Sequence, residues 1–82
     1  MIAEHNTILC ETNGDSHIID LTSNVQEIVA ESGINTGQAA LLVHGSTAAL
    51  STLEYEPGLV NYDIRTAMER LAPHDAYYKH EE

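Results

Sequence analysis

Apolar positions along this chain change their period several times, and each change marks an element. Ile8-Leu9-Cys10, within Met1 to Glu11, and the return from Ser16 to Asp20 read as two strands joined at Thr12-Asn13-Gly14-Asp15. Asn-Gly is the dipeptide that tight hairpin turns favour. From Ser23 to Ser32 the period lengthens: Val25, Ile28, Val29 and Ser32 fall at i, i+3, i+4 and i+7, one stripe of a helix. Ser23 and Gln26 have capping-box spacing, and Gly33 predicts a left-handed stop onto which Ile34 packs back. After the turn Asn35-Thr36-Gly37, Gln38 to His44 is apolar on both faces, the pattern of a central strand covered from both sides. Gly45-Ser46-Thr47 interrupts it, and Ala48 to Glu54 reads as the next strand.

Pro57 to Leu71 predicts the second helix, with Pro57 at its first position, where the missing N–H costs nothing. Val60, Ile64, Ala67, Met68 and Leu71 form its apolar stripe, and Arg65 and Glu69 make an i,i+4 pair on the wet side. Ala72-Pro73 ends it, and His74 to Glu82 shows no clear periodicity. The order β-β-α-β-β-α predicts an α+β fold, an antiparallel sheet with two helices packed on a face, in a single domain over residues 1–82.

Composition sharpens that picture. At 82 residues, with no Trp and no Phe, the core must be built from aliphatic side chains and the tyrosines. A domain of this size buries only roughly 60% of the surface of its unfolded chain, so self-association or a missing segment is expected. The formal charge is −10, and no basic residue precedes Arg65. Such a surface repels phosphodiester backbones and anionic lipid, which argues against nucleic acid and membrane as partners. Cys10 stands alone in an apolar stretch, the setting of a buried structural thiol in a reducing compartment. With no basic leader and no long apolar run, a cytoplasmic location is expected.

Candidate chemistry concentrates between Gly45 and Leu59, GSTAALSTLEYEPGL. Gly45-Ser46-Thr47 can present backbone N–H groups and two hydroxyls to an anion or carbonyl oxygen. The same turn also serves as a plain connection, with glycine for its torsion angles and hydroxyls capping nearby backbone. Glu54 and Glu56 stand two apart and share a side of an extended chain. Glu54 suits a general base or metal ligand, whereas Glu56 before Pro57 suits the positive end of the helix. Asp63 lies beside the apolar stripe of the second helix. His74 and His80 are too irregularly spaced to diagnose a metal site.

The run Gly45–Leu59, with Tyr77–Glu82 (YYKHEE) downstream, resembles the signature of the YjbQ-like family, also called the secondary thiamine-phosphate synthase family or UPF0047. The resemblance covers about residues 16–82 and implies an α+β fold of antiparallel sheets, usually assembled as trimers. It implies that this chain corresponds to the amino-terminal part of its relatives, lacking their His-rich loop and C-terminal strands. By position in the motif it makes Gly45, Ser46 and Thr47 the substrate-anion turn, Asp63 a further catalytic candidate in the cleft beside Glu54, and His80 a ligand for a divalent metal, Zn or Mg. Many relatives carry histidine immediately before the Ser/Thr pair, where this chain has Gly45. His44 is displaced by one residue and, on a strand, points to the opposite face, which suits a hydrogen-bonded histidine at the core edge.

Two functions follow. One is a weak thiamine-phosphate synthase-like transferase that joins a small phosphorylated molecule to a second substrate. The other is a non-catalytic, truncated module that oligomerises or pairs with another chain.

Overall fold

A computed structural model of the protein describes residues 1–81. The chain divides into two compact units, one made of Met1–Glu11 with Ile19–Leu53, the other of Thr12–Ile18 with the chain from Glu54 onward. The first unit carries α1, Thr22–Glu31. The second carries a π-helical turn at Leu59–Asp63 that runs directly into α2, Ile64–Leu71, and a short 3-10 turn at Lys79–Glu81.

No strand forms among the described residues, which overturns the expected antiparallel sheet and the β-β-α-β-β-α order. The reason is visible in the hydrogen-bond accounting. A ladder needs backbone bonds between segments distant in sequence. Among the described residues every backbone–backbone bond outside the helices is local, such as His17 N–H to Gly14 O and Ala76 N–H to Pro73 O. Alternating apolar residues favour a pleated surface only when a neighbouring strand supplies the other half of the bonds and the packing. Without one, Leu9 is 92% exposed and Leu42 is 82% exposed. Cys10 is exposed rather than buried, and His44 is exposed rather than held at a core edge.

The local predictions fare differently. At Asn13-Gly14 the chain does turn, with Gly14 at φ 87 and Ser16 at φ 59, although no strands flank it. α1 starts one residue earlier than its pattern suggests, because an Asp20 carboxylate oxygen accepts the Thr22 N–H at 2.9 Å. Ser23 therefore lies inside the helix and the Ser23–Gln26 capping box does not form. Leu21, Val25 and Ile28 are half-buried along one stripe, while Val29 stays 44% exposed. The stop falls where glycine predicts it: Gly33 adopts φ 72, and Ser32 Oγ donates to Val29 O while accepting the Ile34 N–H.

The helical stretch 57–71 of the second unit is begun by Glu56. Its two carboxylate oxygens accept the N–H groups of Gly58 at 3.0 Å and Leu59 at 2.8 Å, and Pro57 has no N–H to satisfy. Gly58 makes room for this folded-back side chain, since a Cβ there would stand 3.2 Å from a Glu56 oxygen. Val60, 5% exposed, is the buried hydrophobic residue among those described, with Ile64 half-buried after it. Farther along, Met68 is 53% and Leu71 79% exposed. A π-turn carries more residues per turn than an α-turn, so it rotates the later part of the stripe away from the face Val60 buries. Nor do Arg65 and Glu69 pair as expected. Arg65 donates to the Asp15 carbonyl, and Glu69 turns to His74.

Candidate functional site

Gly45, Ser46 and Thr47 lie in the first unit. Gly45 has φ 93, a left-handed conformation with open space where a Cβ would be. A left-handed residue is one half of the αR-αL pair that forms anion-binding concavities. Ser46 and Thr47 are exposed, and no protein group among the described residues engages their hydroxyls. The turn can therefore offer hydroxyl and amide donors outward.

Glu54, Asp63 and His80 belong to the second unit, and all are exposed. Glu54 stands before the helical stretch 57–71, and Asp63 occupies the last position of the π-helical turn. Glu56 is separated from them by its task. The N–H groups of Gly58 and Leu59 hold its carboxyl below the ordinary range, which marks it as a helix-capping acid. His80 borders an open hollow of about 550 Å³ with Ala72, Ala76 and Tyr78, whose hydroxyl donates to Pro73 O at 2.5 Å. No group of three His, Cys, Asp or Glu side chains is placed to hold a metal among the described residues. The structure thus does not gather His80 with the acids into a metal centre.

Sequence reading missed other groupings. His74 sits between two carboxylates, its Nδ1 2.8 Å from Glu69 and its Nε2 3.0 Å from Asp75. His17 Nδ1 accepts the Asn13 N–H at 2.9 Å across the turn, and Arg65 reaches fifty residues back to the Asp15 carbonyl. A histidine just after Asn-Gly was the one available signal for the first of these turn contacts. Nothing in the periodicity announces the others, because they join segments through side chains.

No helix among the described residues is long and apolar enough to cross a membrane. No curated protein and no solved structure matches the chain. A family model described as UPF0047 protein YjbQ-like matches residues 6–82, a longer span than the signature residues alone covered. A match over nearly the whole sequence, including the Gly45 turn and the His80 segment, places this chain in the YjbQ-like family.

Proposed function

We propose that this YjbQ-like chain binds a small phosphorylated molecule through Gly45, Ser46 and Thr47 and completes its working surface by assembling with further chains, as trimers or with another partner. The observation that carries this reading is the outward-facing pair of Ser46 and Thr47 hydroxyls beside a left-handed Gly45. Phosphate bound by neutral donors suits a chain whose net charge is −10 and which has few cations to spend. Assembly is supported by the exposed Leu9, Leu42 and Leu71, since apolar surface of this kind is stabilised by removal from water.

Transfer chemistry of the thiamine-phosphate synthase type is the second reading, and family membership favours it. In it Glu54 and Asp63 serve as acid–base groups in the cleft. The described residues do not by themselves assemble a divalent-metal site for Zn or Mg. His80 is the donor that acids of a neighbouring subunit would complement.

Phosphate titration of the wild-type chain and of Thr47→Val tests the binding reading. Weaker phosphate binding with unchanged unfolding supports it, whereas lost stability with unchanged binding makes the hydroxyl a turn cap. Assaying thiamine-phosphate formation with added Mg²⁺ or Zn²⁺ tests the second. Absence of turnover together with absence of bound metal removes it for the 82-residue protein. Sedimentation decides assembly, and a compact monomer with cooperative unfolding counts against it.

A further inference from the structure

The turn Thr12–Ile18 and the helical stretch from Val60 to Arg65 lie in the same unit and enclose a shallow hollow of about 200 Å³. Its lining includes Asn13, His17, Val60, Asn61 and Arg65. We propose that this hollow binds a small oxyanion, a carboxylate or a phosphate, with Arg65 as its principal ligand. The proposal does not rest on the Gly45 turn, which belongs to the other unit.

Arg65 is the first basic residue of a strongly acidic chain, yet it makes no ion pair among the described residues. One guanidinium nitrogen donates to the Asp15 carbonyl at 2.6 Å, which fixes the planar group at the hollow. The remaining N–H groups of the guanidinium stay available, in the fork geometry that matches carboxylate and phosphate. Two acids of the same unit hydrogen-bond to groups other than Arg65. Glu69, one helical turn on, accepts hydrogen bonds from His74, and the Asp15 carboxylate accepts the Ser16 hydroxyl at 3.3 Å.

His17 adds a donor to the lining. Its Nδ1 accepts the Asn13 N–H, so the neutral ring carries its proton on Nε2. The Asn61 amide supplies further donors on the helical side. Ser16, in the same turn, holds φ 59, a left-handed conformation uncommon for a non-glycine residue.

Size restricts the ligand. Water takes about 30 Å³ each in the liquid, so the hollow displaces only a handful of molecules. Inorganic phosphate or a short carboxylic acid matches that volume.

Amide-resolved NMR titration of the full chain with sodium phosphate and, separately, sodium succinate, at constant ionic strength, tests the proposal. Saturable shifts are expected at Asn13, His17, Asn61 and the Arg65 side chain, with a dissociation constant in the roughly millimolar range. Arg65→Gln should weaken binding about tenfold, and Arg65→Lys should recover only part of it, because the fork is lost. Asn61→Ala, which removes no observed hydrogen bond, should weaken binding several-fold while the far-UV spectrum stays unchanged. It keeps binding separable from folding even if Arg65→Gln loosens the turn. Saturation by phosphate alone assigns a phosphoryl ligand, and saturation by succinate alone assigns a carboxylate. Linear, non-saturating shifts with both salts, or equal affinity in Arg65→Gln and Asn61→Ala to that of the wild-type chain, would overturn the proposal. Loss of phosphate binding in Thr47→Val with these shifts intact would concern the other unit only.

Discussion

Glu69 and His74 close the C-terminal end of α2 together. The Glu69 carboxylate accepts the His74 backbone N–H at 3.2 Å and meets the His74 Nδ1 at 2.8 Å. Ala72, at φ −141, has already left the helix, so this acid carries the chain around Pro73 into the tail that holds His80.

Acid should loosen that closure. The His74 side-chain bond first, and its backbone N–H second, hold the Glu69 carboxyl below its ordinary value. A carboxyl depressed in the folded state contributes stability that is present above its unfolded value and lost as pH falls through the lower folded value. Protection of the His74 amide from hydrogen exchange, relative to its intrinsic rate at each pH, should therefore fall on acidification below the ordinary glutamate range. In Glu69→Gln this acid-dependent step should disappear. If the variant retains it, another group governs the tail.

Replacing Glu56 by alanine should strip the Gly58 and Leu59 N–H groups of their acceptors. Helical signal should fall over residues 57–63, whereas α1 stays unchanged, which residue-resolved chemical shifts would report. Glu56→Asp should rescue most of the loss, because a shorter acid at a helix start still reaches the N–H groups two and three residues on. Uniform loss across both helices would contradict a local cap.

Val60→Ala tests the small core of the second unit. Truncating a buried side chain costs both transfer energy and the cavity left behind, here about 1–2 kcal/mol. Met68→Ala, at a residue 53% exposed, should change stability far less. Denaturant midpoints compare the two, and equal effects would mean that the α2 stripe is covered after all.

Gly33→Ala should destabilise α1 through torsion alone. No atom lies within 4 Å of the added Cβ, but φ 72 is a conformation that L-residues resist by about 1 kcal/mol. Gly33→Asn should cost less, since asparagine tolerates this region. A fall in α1 helicity with alanine and its recovery with asparagine is the expected pair of results.

How much of this was legible depended on how far each interaction reaches along the chain. The stop at Gly33, the turn at Asn13-Gly14 and the start at Glu56-Pro57 are written in adjacent residues, and the structure realises them. The Ser23 cap failed by one position because Asp20 competes for the same helix end. Of the candidate site, the open character of Gly45-Ser46-Thr47 was readable from residue types. The Arg65 to Asp15 bond was not, since two segments fifty residues apart leave no periodic trace.

By itself the sequence determined family membership, the helices and the turns, because their bonds close within a few residues and depend on local torsions and caps. Tertiary structure alone decided the fate of Ile8-Leu9-Cys10, Gln38 to His44 and Ala48 to Glu54. Their alternation is strand-like, but a strand exists only when another segment answers its hydrogen bonds, and none does so among the described residues.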